Sequence, residues 1–196
     1  HLKHLVDYPN ADDCFPGVSV EGGVNYFIWD REYDGPCEIT TIIANEEVST
    51  MTRPLDEYDT FIRWNEAVPI LRKVQERHEV TLGEKVSNRN PFSLSGKTAL
   101  DTINNPDKVK IYANKQVGYI ERTQIARNTE LIDKYKVLIS KAHGVGAFPD
   151  SVISRPIVAE PPSACTETYL VVGSFNNLAE AENLAKYAKT RFFRFL

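Results

Sequence analysis

An α+β fold is what this 196-residue sequence predicts, and three observations predict it. Runs of β-branched and aromatic residues recur between turn signals. Two other segments repeat their apolar residues at helical spacing. The composition, 42% hydrophobic and 26% charged, is that of a globular chain, and no apolar run approaches the ~18 residues of a membrane helix.

The elements follow in order. His4-Leu5-Val6-Asp7-Tyr8 reads as a strand that ends in the polar turn of residues 9–13. Residues 18–20 and 24–29 form an extended stretch broken by Gly22-Gly23. Asp34-Gly35 then separates it from the β-rich run 37–43, which predicts a hairpin. From Arg53 the pattern changes. Residues 59–63 read as extended, and Asn65 as the N-cap of a helix carrying Ala67, Val68, Leu71, Val74 and His78 at helical spacing. Pro69 falls in its first turn, where proline is tolerated.

Residues 87–95 are loop. Strands are expected at 109–112, 118–120 and 135–139, with a turn at Asn114-Lys115 and one short helix within 123–132. Residues 141–162, with two glycines and four prolines, read as one long loop, either mobile or for binding. Thr168-Tyr169-Leu170-Val171-Val172 is a strand. Asn177 caps a helix with Ala181, Leu184, Ala185 and Ala188 on one face.

Charge is unevenly spread. Residues 1–50 hold two bases and ten acids, a balance of −8, whereas residues 51–196 hold 21 bases and 17 acids, a balance of +4. The formal −4 therefore averages an acidic and a mildly basic region. Three cysteines without paired spacing read as reduced thiols of a cytoplasmic protein. The four histidines form no metal-ligand spacing with them. The chain opens on His1 and closes on Phe195-Leu196, and is read as a piece of a longer protein.

Several short motifs fail on inspection. Ser95-Gly96-Lys97-Thr98 matches the tail of a phosphate-binding loop, but Pro91 stands where that loop needs its first glycine. Asn90-Pro91-Phe92 is similar to the Asn-Pro-Pro-Tyr motif of amino-methyltransferases without its second proline, and reads as a loop. Gly144-Val145-Gly146 lacks the strand-to-helix context of a dinucleotide site, and His143 beside it has no companion for a hydrolase. Glu32, Asp34 and Glu38 lack the lysine of a PD-(D/E)xK nuclease.

The segment from Phe15-Pro16-Gly17 to Tyr26-Phe27-Ile28-Trp29-Asp30 carries more. It resembles the Taq-type DNA adenine-N6 methyltransferases of type II restriction-modification enzymes, in which a Phe-Pro loop precedes a hydrophobic strand of the catalytic sheet. Arg53-Pro54-Leu55-Asp56, residues 117–122, residues 165–170 and the stretch 181–193 look like the target-recognition region that follows. The resemblance implies that Phe15 stacks on an extruded adenine, at an unstacking cost of a few kcal/mol to the duplex, and that Tyr26, Phe27 and Trp29 are core. It implies a division into 1–45, an N-terminal β-hairpin and last strands of the methyltransferase sheet, and 46–196, a mixed α/β target-recognition domain.

By the same resemblance the parent protein uses S-adenosylmethionine and serves bacterial defence. The glycine motif and Asn-Pro-Pro-Tyr motif that precede this segment in the family are missing here. The chain alone is thus expected to hold no cofactor and to have no methylating activity. Its partners would be double-stranded DNA and an upstream catalytic domain of the same chain. Loop candidates for DNA contact are Arg89, Asn90, Lys97, Lys115, Arg122, Lys141, His143 and Arg155, through phosphates and base edges. The alternative is a protein-interaction module that docks a partner subunit through the C-terminal helix and Phe192, Phe193 and Phe195.

Overall fold

The computed structural model describes residues 1–142 and 153–195, and the fold is α+β. The chain divides into two compact units, His1–His78 and Glu79–Leu196. None of the described helices is long and apolar enough to cross a membrane. The expected boundary after residue 45 falls inside a hairpin turn, so the chain divides further on. The charge asymmetry survives the move. The first unit holds 7 bases and 15 acids, the second 16 and 12.

The first unit is a four-stranded sheet of β1 (Leu2–Tyr8), β2 (Val24–Trp29), β3 (Cys37–Ile43) and β4 (Glu46–Arg53), followed by helix α1 (Ala67–Gln75). The strand order is β2-β1-β3-β4, with β1 and β3 parallel and the other pairs antiparallel. The hairpin expected at Asp34-Gly35 is therefore absent, because β1 lies between β2 and β3. The hairpin that forms joins β3 to β4 through Ala44 and Asn45, both at positive φ (51° and 63°). That is the backbone of the tight turn that matches strand twist.

Alternation along β1 and β3 sends Leu5, Asp7, Cys37, Ile39 and Thr41 to one face, where they are buried. The chain between β4 and α1 is fastened to the sheet. Asn65 Nδ2 donates to the Ile39 carbonyl (3.1 Å) and to Ser49 Oγ (2.9 Å), and its Oδ1 accepts from Arg53 Nε (3.3 Å). Asn65 is thus a buried fastener rather than the expected helix cap, and the cap position belongs to Glu66, without a side-chain bond. Tyr26, Phe27, Ile28 and Trp29 are 54–56% exposed on both faces of the edge strand β2. The aromatics expected in the core are at the surface.

The second unit contains β5 (Val109–Ala113), β6 (Gln116–Ile120), β7 (Tyr135–Ser140), β8 (Ile157–Ala159), β9 (Ser163–Cys165), β10 (Tyr169–Phe175), α2 (Leu178–Tyr187) and the short α3 (Arg191–Phe195). Two three-stranded sheets result, β6-β5-β9 and β10-β7-β8. Phe92, Val109, Ile111, Ile120, Ile132, Leu138, Ala164 and Val171 build one core from residues of both. Val137, next to Leu138 and so on the other face, packs with Ala181 and Ala185 of α2. Asn177 caps that helix as expected, accepting from Glu180 N at 3.0 Å.

Two expectations change. Residues 122–132 hold two separate 3-10 turns instead of one helix, and β8 lies within the stretch read as a single loop. Lys136 is fully buried without a carboxylate bonded to it. Its ammonium donates to Ser163 Oγ (2.8 Å), the Ser163 carbonyl (3.0 Å) and the Ile132 carbonyl (3.5 Å). Burial pushes its pKa down to about 8, and pushes the nearby Cys165 thiol up to about 12.

Candidate nucleic-acid interface

In the first unit the loop after β1 leaves from the carboxyl ends of the parallel pair β1 and β3. Open sheets commonly hold ligands at that edge. Phe15 is 55% exposed there, and three acidic-turn contacts fix the backbone beneath it. Asn10 Oδ1 accepts from Asp12 N, Asp12 Oδ1 accepts from Gly17 N at 2.6 Å, and Asp13 Oδ2 accepts from Ala44 N at 2.7 Å. The loop's far end is closed by Gly23 (φ +77°), where a Cβ would lie 2.1 Å from the Tyr8 carbonyl. Arg63 donates to the Gly22 carbonyl and pairs with buried Asp7 at 2.9 Å. Burial holds the Asp7 carboxyl above its ordinary 3.8 despite that guanidinium. Phe15 is thus an exposed ring on an anchored loop.

In the second unit four of the expected cations gather at one end. β5 and β9 finish there, β7 finishes there, and β10 begins there, all linked by Thr166-Glu167-Thr168. Glu167 N donates to the Leu94 carbonyl (2.8 Å), and Glu167 Oε1 accepts from Gly96 N (3.2 Å), which brings in the loop of Lys97. Lys141 N donates to the Thr168 carbonyl, and its ammonium lies 3.8 Å from Glu167 Oε2. Lys115, at φ +56°, sits in the β5–β6 turn, and Arg155 follows Ser154, whose Oγ accepts from Ser140 N (2.8 Å). Lys97, Lys115 and Arg155 are exposed and form no ion pair among the described residues. The Gly96 amide is already filled by a carboxylate, so Ser95-Gly96-Lys97-Thr98 offers no phosphate cradle there.

The remaining candidates lie elsewhere. Arg122, at the opposite end, is neutralised by Asp133 through paired bonds, one of 2.9 Å. Asn90 has positive φ and a buried Oδ1, and precedes the core residue Phe92, so it presents little to a base edge. Arg89 beside it is exposed. His143 lies outside the described residues.

Residue-by-residue reading missed a polar groove of about 290 Å³ across the outer face of β5 and β6, lined by Asn104, Asn105, Lys110, Tyr112, Tyr119 and Glu160 among others. The signal was the alternation of Val109-Lys110-Ile111-Tyr112, which buries Val109 and Ile111 and turns Lys110 and Tyr112 outward. A larger groove, about 690 Å³ between β10 and α2, is lined chiefly by Leu82, Val86, Leu131, Val171, Phe175 and Leu184 and gathers no reactive constellation. Among the described residues no group of three or more His, Cys, Asp or Glu side chains is placed to hold a metal. No protein-family model, curated protein or solved structure matches the chain.

Proposed function

We propose that this chain recognises double-stranded DNA as the non-catalytic, target-recognition portion of a restriction-modification adenine-N6 methyltransferase. The observation that carries the reading is the convergence of Lys97, Lys115, Lys141 and Arg155 on one end of the second unit. Cations grouped on loops at one end can straddle a phosphate backbone, whereas cations spread evenly over a surface cannot.

The first unit supports the same reading through the anchored, exposed Phe15, which suits stacking on an extruded base. The open edge of β2 and its two apolar faces support an upstream catalytic domain as partner. A further strand with cover on both sides would bury Tyr26, Phe27, Ile28 and Trp29. The parent protein would bring S-adenosylmethionine to that domain.

A docking role for the C-terminal helix is the second reading, favoured by exposed Phe192 and Phe195, although Phe193 is engaged edge-on by Tyr187 at 5.4 Å. Fluorescence anisotropy with a labelled duplex separates the two. The chain should bind weakly at low salt and lose most of that binding by ~0.2 M salt. The triple variant Lys97→Glu, Lys115→Glu, Lys141→Glu should weaken it more than tenfold. Tight binding indifferent to salt, or a triple variant that binds as the parent does, would sink the DNA reading.

A further inference from the structure

The outer face of the β5–β6 hairpin carries two lysines in different settings. Lys108, two positions before Lys110 along the chain, is held by Asp101 and by Glu121 (3.0 Å). Lys110 has no carboxylate within ion-pair distance among the described residues. Its ammonium rests instead 5.2 Å from the centroid of the Tyr112 ring, which holds the long side chain in place without neutralising it. Across the strand pair Lys110 faces Tyr119, and Tyr112 faces Val117.

These side chains form a stripe from the groove at Asn104 and Asn105 to the turn that carries Lys115. The stripe therefore ends where the cations of the proposed DNA-binding end begin. Neither tyrosine hydroxyl has a hydrogen-bond partner among the described residues. Asn105 uses its Oδ1 on Asp107 N (2.9 Å) and keeps its amide hydrogens for something else. Among the described residues Glu160 is the one carboxylate lining the groove. A preset ammonium, two phenol hydroxyls and amide donors along a strand make a surface for a chain of phosphates. Asn105 has its Oδ1 engaged and so lacks the paired donor and acceptor that reads an adenine edge, and the ammonium and phenol hydroxyls along the stripe are single-point groups suited to phosphates.

We propose that this stripe holds the sugar–phosphate backbone of DNA, with Lys110 on a phosphate and the hydroxyls of Tyr112 and Tyr119 on its neighbours. The inference rests on the DNA reading and extends the bound surface along β5 and β6, away from the lysine-rich end. Three variants test it by anisotropy against two duplexes of unrelated sequence. Lys110→Ala should weaken binding to both about fivefold and lower the slope of log affinity against log salt by about one, as expected when one phosphate is no longer neutralised. Lys110→Arg should restore the slope. The double variant Tyr112→Phe, Tyr119→Phe keeps both rings and their packing, and should weaken binding about threefold. Circular dichroism should superpose for all of them.

If Lys110→Ala and the double phenylalanine variant bind as the parent does while the triple lysine variant fails, this inference falls and the DNA reading stands. An effect confined to one of the two duplexes also overturns it, because backbone contacts carry no sequence information. If the parent chain binds neither duplex at low salt, both proposals fall together.

Discussion

The two units solve the problem of staying folded in opposite ways. The first buries a thin apolar set, Leu5, Cys37 and Ile39 with Leu2 and Leu55 packed against it, and leaves its largest aromatics outside. Polar fasteners hold its cover on the sheet: Asn65 across β3 and β4, buried Arg53 on the Ile62 carbonyl, and the Asp7–Arg63 pair. The second unit closes a core of twelve buried residues and, at one end, pairs Lys108 with Asp101 and Glu121 and Arg122 with Asp133. The difference lies in what each unit leaves uncovered. A sheet that is pinned by hydrogen bonds and apolar on its open strand offers the edge that the proposed upstream domain would continue. A closed core with unpaired cations at one end is what the proposed DNA-binding role would use.

The largest expected effect tests whether the units are separate. Phe92, fully buried, is a central residue of the second core, and Phe92→Ala should cost about 3–5 kcal/mol there. Both tryptophans, Trp29 and Trp64, lie in the first unit. Urea unfolding followed by circular dichroism should therefore show an early transition, while the tryptophan fluorescence transition stays in place. A coincident shift of both signals would mean the units unfold as one.

Arg63→Ala probes the opposite strategy and should cost the first unit about 3 kcal/mol, since it strands a buried carboxylate. The fold already holds the Asp7 pKa above 3.8 by burial, and losing Arg63 raises it further. A carboxyl whose folded pKa is raised stabilises the fold below its unfolded value and loses that contribution as pH rises through the folded value. The deficit of Arg63→Ala should thus shrink as the pH is lowered toward 4, as read by tryptophan fluorescence. A pH-independent deficit would place the cost elsewhere, in the missing bond to the Gly22 carbonyl.

The smallest effect belongs to Lys136. Between about 8 and 10.5 the unfolded chain binds a proton that the folded one has released, so stability of the second unit rises with pH in that window. From about 9 upward Cys165 acts in the opposite sense, because the unfolded thiol ionises while the folded one stays protonated to about 12. A gain of about 1 kcal/mol between pH 8 and 9 is expected before the two offset each other. Cys165→Ala should extend the rise to pH 10, and Lys136→Met should remove it. Denaturant midpoints from circular dichroism read both.

Much of the second unit was legible in the sequence because its signals are local. The strand pair 109–120 announces itself by alternation around Asn114-Lys115, and α2 by its Asn177 cap and an alanine face. What escaped depends on partners far along the chain. Cys37 follows β2 closely, yet β3 pairs with β1, some 35 residues earlier, and no turn signal reports that. β4 is Glu46-Glu47-Val48-Ser49-Thr50-Met51-Thr52-Arg53, too polar to read as a strand, and it forms because it caps the sheet's far edge. Aromatic residues of β2 look like core in any window, since sequence pattern states that a strand is apolar on both sides without stating what lies against it. The same limit applies to the site. Cations on loops could be named one by one, but their placement at one end of the unit depends on the meeting of four strand ends.

The open edge of β2 also bears on how the chain behaves in concentrated solution. Val24-Asn25-Tyr26-Phe27-Ile28-Trp29 is a six-residue run without charge, proline or glycine, with one side of its backbone unpaired. Such a segment is a template for cross-β stacking with copies of itself. Glu21 stands before it and Asp30, Glu32 and Asp34 after it, and these carboxylates act as gatekeepers that set copies repelling one another. The acidity of the first unit, which says little about nucleic acid, is thus expected to slow fibril nucleation wherever this strand is left uncovered.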